Sequence, residues 1–180
     1  EFDGNRVISF KEAMILDSLP KKMIIIGSGA IGSEFAYYYN EFGTEVHMIE
    51  MLDRVLPIED ADVSKEVEKC FKKSSIKIST GTKVSKIESL KTKVKVHTER
   101  NGKKEILEGD LALLAVGVTG NIEYLGLEKL GIETNGGTIT INEFNQTNIP
   151  NIFAIGDVSG PPWLAHVASA QGHVAADYIG

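Results

Sequence analysis

Three glycines and a strand-end carboxylate carry the most pointed chemistry in this 180-residue chain. Gly27-Ser28-Gly29-Ala30-Ile31-Gly32 has the spacing G-x-G-x-x-G. Such a turn brings backbone N–H groups close to an anion, because glycine puts no side chain between amide and ligand. Between a strand and a helix, the first N–H groups of the helix and its positive end face the same anion. The chemistry is diphosphate binding without a cationic side chain. Gly27 permits the tight turn, Gly29 the close approach of the diphosphate, and Gly32 the packing of helix on strand. Glu50 follows Gly32 by 18 residues, where a carboxylate can accept hydrogen bonds from the adenosine ribose of a dinucleotide. A 2′-phosphate there would be repelled by roughly 4 kcal/mol, for unit charges about 4 Å apart at an effective dielectric near 20. NAD is therefore favoured over NADP; Arg54, the nearby arginine, does not occupy the strand end. The plainer reading of Glu50 is an exposed strand terminus.

The other reactive residues form no recognisable set. Glu34 sits early in the helix, either as a surface carboxylate favoured by the helix dipole or as one oriented toward the far end of a dinucleotide. His47, His97, His166, His173 and Cys70 show no metal-ligand spacing. Cys70, beside Phe71 on a helix, reads as a packed thiol. Ser28 lies outside any nucleophile-elbow pattern. No acid, base and nucleophile trio emerges, so neither a catalytic residue nor a metal is expected within the chain.

The elements around the glycine turn follow from pattern. Met23-Ile24-Ile25-Ile26 is a continuous apolar run, as a parallel strand covered on both faces requires. A helix to about Phe42 follows, with Ile31, Phe35, Tyr38 and Phe42 expected on its sheet-facing side and Gly43 as its terminator. Glu45–Glu50 is the second strand, completing a βαβ unit. Upstream, Ser9 and Glu12 form a potential capping box leading into Ala13–Leu16, with Pro20 as the stop. Downstream, Asp60 caps a helix over 61–73 marked by Val63, Val67 and Phe71. A strand begins at Ile76. Extended segments are expected near 82–90, 93–99 and 104–108; Val94, Val96 and Thr98 alternate with Lys93, Lys95 and His97, and Asn101-Gly102 signals a hairpin. These segments read as an antiparallel meander inserted into a doubly wound, Rossmann-like α/β domain, which the apolar run 110–116 rejoins. After Gly117 the chain turns glycine-rich. A buried strand at 151–156 and a small-residue helix at 165–179 close it.

Composition narrows the field. The 19 basic and 25 acidic residues give a formal charge of -6, which argues against a nucleic-acid partner. The Lys-rich stretch 83–104 reads as the wet face of the meander. One cysteine excludes an internal disulfide and suits a reducing compartment. No apolar run approaches the roughly 20 residues a membrane span needs, no signal segment opens the chain, and the first residues read as mid-sequence material.

The motifs together resemble the pyridine nucleotide–disulfide oxidoreductase flavoproteins, and within them the dihydrolipoamide dehydrogenases. The likeness runs from Gly4-Asn5-Arg6-Val7-Ile8-Ser9 onward. It is strongest in Gly27–Phe35, in Leu114-Ala115-Val116-Gly117, in Asn151–Val158 and in Leu164-Ala165-His166. The resemblance implies NAD binding at Gly27, Ser28, Gly29, Ala30, Ile31, Gly32 and Glu50, with Glu34 near the nicotinamide and Gly117 among the cofactor-binding residues. It implies FAD contacts from Gly156, Asp157 and the backbone of Leu164, Ala165 and His166; apart from it, Asp157 reads equally well as a turn residue. Ala30 stands where some disulfide reductases carry a gating tyrosine. Gly120 and Val167 depart from the usual proline and lysine.

The implied organisation is a linker and short helix from a preceding FAD domain (1–20), an NAD-binding domain (21–118) and an incomplete FAD-contacting central segment (119–180). The redox cysteine pair and the interface domain would lie outside the chain. The implied parent enzyme passes electrons from dihydrolipoamide through a redox disulfide and FAD to NAD. It would be a homodimer serving the lipoyl domain of a 2-oxoacid dehydrogenase complex, in the cytoplasm or mitochondrial matrix. NADH oxidases, coenzyme A disulfide reductases and mercuric reductases share the motifs. A non-catalytic nucleotide-binding module is the alternative of a different class.

Overall fold

The run Met23–Ile26 is covered on both faces, and that fixes the architecture. In the computed structural model, which describes residues 2–180, Met23, Ile24 and Ile25 are 0% exposed. They belong to β2 (Lys22–Ile26), the middle strand of a five-stranded parallel sheet ordered β1-β8-β2-β3-β4. Its neighbours are β1 (Val7–Ile8), β3 (Glu45–Ile49), β4 (Lys77–Ser79) and β8 (Leu111–Leu114). Ile25 pairs with Met48 on one side and Leu113 on the other.

Alternate residues of the sheet point into two different layers. Met23, Ile25, Val46, Met48 and Leu113 pack with Ala36, Tyr39 and Phe71 of α2 (Ala30–Glu41) and α3 (Ala61–Lys73). Ile24, Ile26, Ile49 and Ala112 pack instead with Val94 and Val96. Each fully buried isoleucine contributes about 1.5–3 kcal/mol. Val94 and Val96 belong to the antiparallel meander β5 (Lys83–Ser89), β6 (Val94–Arg100) and β7 (Lys103–Gly109). The meander covers the sheet's second face, and its outer face is wet, laced by the ion pairs Lys86–Glu88 and Lys93–Glu108. Asn101 (φ 50) and Gly102 (φ 76) are both left-handed, as a two-residue hairpin with a type I′ turn demands.

The local signals at the helix ends hold. The Ser9–Glu12 capping box forms and Asp60 caps α3 by accepting from the Asp62 N–H. Gly43 takes φ +90 just past α2. Other expectations are corrected. Only part of the expected face of α2 packs inward: Phe35 is half-buried against the core, but Tyr38 and Phe42 are exposed, while Gly32, Ala36 and Tyr39 are buried. A one-residue offset is a rotation of about 100°. The close approach at Gly32 leaves room under the helix for small residues plus Tyr39, whose hydroxyl donates to the Ala13 carbonyl. In α3 the exposed Val63 gives way to buried Ser64. Cys70 is exposed rather than packed, because Phe71 takes the inward direction. The first helix, α1 (Phe10–Ala13), stops before Met14 and Ile15, which are exposed.

The described residues divide into two compact units, one ending at Gly117 and the other Val118–Gly180. In the second, Leu127, Ile132, Ile139 and Ala154 form a small core. Around it lie α4 (Leu127–Leu130), the short strands β9 (Thr134–Asn135) and β10 (Thr138–Ile139), a 3-10 turn at Gly156–Ser159, and α5 (Ala165–Ile179). Helix α5 matches expectation; the strand at 151–156 does not. Phe153 makes one isolated bridge to Gln146 and Ile155 is 44% exposed. An apolar run becomes a strand only where a neighbouring backbone edge supplies its hydrogen bonds, and here that edge is a single residue.

Candidate functional site

Strands β2 and β8 lie side by side, yet the chain leaves β2 for β3 on one side and reaches β8 only after the meander. Ligands of open parallel sheets sit beyond the carboxyl ends of strands at such a reversal. A hollow of about 570 Å³ opens there, lined by Gly27 and Gly29, Glu50, and Leu114 to Gly117. That volume suits a small-molecule site.

Each glycine of the turn has its own geometric reason. Gly27 has φ +100, and a Cβ there would lie 2.4 Å from the Ala115 carbonyl oxygen. At Gly32 a Cβ would lie 2.0 Å from the Gly27 oxygen. Around Gly29 a Cβ would meet nothing within 4 Å, so the space above this residue is open. Gly29 is also the N-cap of α2, without a side-chain cap bond. The early N–H groups of the helix are therefore left for a ligand, and an anion is favoured there.

Glu50 completes the hollow. It is 8% exposed and is the one carboxylate among the lining residues. Its Oε2 accepts from the Ser28 N–H and from the Ser28 hydroxyl, each at 2.8 Å. Its Oε1 accepts from the Leu52 N–H at 2.9 Å. An ionised carboxylate has about four lone-pair directions, so one on Oε1 remains. The Glu50 backbone is pinned as well: its N–H donates to Ser79 and its carbonyl accepts from Thr82.

The remaining expected residues fall in several places. Ala30 is exposed and Ile31 half-buried at the start of α2, while Gly117, with φ +86, borders the hollow. Ser28 is 0% exposed, so its side chain serves the turn's interior. Glu34 is exposed and borders a different hollow, with Ala13, Met14, Phe35 and Tyr38; the structure does not bring it together with Glu50. In the second unit Gly156 is left-handed (φ +75) and opens the 3-10 turn. Asp157, Leu164, Ala165 and His166 are exposed there, the last three at the start of α5. Arg54 donates to the Pro57 carbonyl and does not line the hollow.

The sequence reading missed one wall. Thr82, Lys83, Val84 and Ile87, at the start of β5, border the hollow together with Leu52 and Pro57. Val84 and Ile87 are three residues apart, and a register shift between Val84 and Lys86 brings both inward; the sequence shows neither that shift nor the docking of the strand beside the glycine turn. Among the described residues there is no cluster of three metal-ligating side chains, and no helix long and apolar enough to cross a membrane.

A parallel sheet with a glycine turn at its reversal point and a carboxylate at the next strand's end is a Rossmann-like dinucleotide-binding fold. Comparison with known proteins agrees. The pyridine nucleotide-disulphide oxidoreductase family matches residues 1–172, and the chain belongs to that family. It is 42% identical over 180 residues to a dihydrolipoyl dehydrogenase of Rhizobium etli, covering 99% of this chain and 37% of that protein. A dihydrolipoyl dehydrogenase of Mycobacterium leprae is 45% identical over 177 residues, with 98% and 38% covered. The chain thus spans little more than a third of the length of these curated relatives. Among solved structures, LpdA from Mycobacterium tuberculosis superposes with a TM-score of 0.89 at 32% identity, over 98% of this chain and 38% of that one. The HOCl-induced flavoprotein disulfide reductase RclA from Escherichia coli gives 0.88 at 27% identity, over 99% and 40%.

Proposed function

We propose that the first unit binds NAD, with its diphosphate over Gly29 to Gly32 and its adenosine ribose at Glu50. The observation that carries this is the pairing of open space above Gly29 with a buried, three-fold hydrogen-bonded carboxylate bordering the same hollow. The residues present fit such a ligand. Backbone N–H groups at the α2 start hold the diphosphate, and the free direction on Glu50 Oε1 accepts from a ribose hydroxyl. The apolar walls at Leu52, Pro57, Val84 and Ile87 shield the adenine from water. Glu50 repels a 2′-phosphate, and Arg54, turned to Pro57, does not offset that repulsion.

We infer further that the whole protein oxidises dihydrolipoamide and reduces NAD, by its likeness to dihydrolipoyl dehydrogenases. FAD is the second cofactor of this reading. The exposed Asp157 and the backbone at Leu164, Ala165 and His166 would contribute part of its cradle, Asp157 accepting hydroxyl hydrogen bonds. When bound, NAD supplies the hydride acceptor and FAD the electron relay; this chain's residues bind, orient and exclude water. Residues 1–20 would then lead from a flavin domain, 21–118 form the NAD domain and 119–180 contact the flavin. Glu34 would lie toward the nicotinamide. A homodimer in the cytoplasm or mitochondrial matrix, exchanging with a lipoyl domain, completes the reading.

Fluorescence titration of the chain with NADH and NADPH tests it. Saturable binding with NADH at least about tenfold tighter than NADPH is expected, from a repulsion of this size partly screened by solvent. Equal affinities, or no saturable binding of NADH, would refute it.

A further inference from the structure

We propose that the Ser28 hydroxyl is a positioning group for Glu50, and that this contact sets the preference for an adenosine ribose without a phosphate. The inference rests on the nucleotide reading above and deepens it. A serine in a glycine turn has two directions open to it, toward the ligand or into the protein. Ser28 takes the second: it is 0% exposed, and its hydroxyl donates to Glu50 Oε2 at 2.8 Å, beside the bond from its own N–H. The Ser28 carbonyl meanwhile accepts from the Ser33 hydroxyl at 3.1 Å and from the Leu56 N–H at 2.9 Å. One residue therefore ties the phosphate turn, the first turn of α2, the loop after β3 and the ribose carboxylate into one rigid unit.

The consequence concerns selectivity. A carboxylate held by two donors on Oε2 and one on Oε1 cannot swing aside, so a 2′-phosphate meets it at full charge and close range. Removing the hydroxyl leaves Oε2 with a single backbone donor. The carboxylate can then turn outward or take up water. It presents its free direction to the ribose less often, and yields to a phosphate more readily.

The test measures NADH and NADPH affinities of the chain for wild type, Ser28→Ala, Glu50→Ala and the double variant. Ser28→Ala is expected to lower the NADH-over-NADPH ratio about tenfold, near the net worth of one hydrogen bond to a charged group. In the Glu50→Ala background the same substitution should leave the ratio unchanged, since the hydroxyl acts through that carboxylate. Equal losses for both nucleotides, or an undiminished effect without Glu50, would overturn the assignment. A crystal structure of Ser28→Ala gives a readout independent of nucleotide. Displacement of the Glu50 carboxylate supports the positioning role, and an unmoved carboxylate refutes it even if neither nucleotide binds wild type. That last result would separately end the NAD reading. Should Ser28→Ala fail to fold, Ser28→Gly is read by the same criteria.

Discussion

Gly29 and Gly32 stand three residues apart in one motif, yet alanine at each should fail in different ways. At Gly32 the new methyl would lie 2.0 Å from the Gly27 carbonyl oxygen and 3.0 Å from its carbon. Carbon and oxygen in contact sit about 3.3–3.6 Å apart, so the start of α2 must withdraw by roughly 1 Å or more. Because the obstacle is backbone, no side chain can rotate out of the way. Withdrawal also loosens Ala36 and Tyr39, which are 0% and 1% exposed beneath the same helix. Overpacking costs about 1–3 kcal/mol, and this site belongs at the upper end. A loss of about 3 kcal/mol lowers the melting temperature of a unit this size by about 10 °C. At Gly29 the backbone is ordinary, φ -66 and ψ -173, and the methyl meets nothing. Stability should stay within about 0.5 kcal/mol of wild type. The same methyl occupies the approach to the helix N–H groups, so NADH affinity should fall about tenfold or more, the worth of one charge-assisted hydrogen bond. Circular dichroism melts and NADH titration of both variants decide the matter. Wild-type melting of Gly32→Ala would refute the packing argument, and wild-type NADH affinity of Gly29→Ala would refute the phosphate argument.

Other perturbations give equally distinct outcomes. Glu50→Ala leaves the Ser28 and Leu52 donors without their acceptor; urea unfolding should show a loss of about 1–3 kcal/mol. Tyr39→Phe removes the buried hydroxyl bond to the Ala13 carbonyl and should cost about 1 kcal/mol in the same assay. His47 shares a hydrogen bond with the Ser79 hydroxyl at 2.9 Å. Burial first, then Lys22 and Lys77, hold its pKa below the ordinary 6.5, with Glu105 and Glu45 opposing. The unfolded chain thus takes up a proton that the folded one resists. Stability should fall as pH drops below about 6.5 and level off beneath the folded value; urea midpoints across this range should flatten in His47→Asn. Finally, the chain has one cysteine and should show no dihydrolipoamide-dependent NADH formation, measured by absorbance.

The parts of this fold that could be read in advance are those set by local chemistry. Continuous burial marks β2, the Asn101-Gly102 dipeptide can hardly do anything but turn, and Asp60 announces α3. What escaped depends on distant neighbours. The face of α2 could be found only in part from its aromatics, because the contact at Gly32 favours small residues over large ones. The run 151–156 looks like a strand by composition, but strands are made by partners. Glu50 was legible as an acid at a strand end; that Ser28 grips it was not, since 22 residues separate them. The wall from Thr82 to Ile87 escaped for the same reason, being placed by the docking of one sheet on another.

The antiparallel ribbon shares no ladder with the parallel sheet and is stitched to it where the chain passes in and out. The Thr82 amide fastens to the Glu50 carbonyl at one seam, and the Asp110 amide to the Lys22 carbonyl at the other. Between those seams the turn at Asn101-Gly102 is exposed and can lengthen or shorten without breaking a ladder bond to the parallel sheet. Descendants of this fold are thus free to vary the tip at Asn101-Gly102 in size and charge, whereas a single residue inserted next to Thr82 would tug directly on the carboxylate strand.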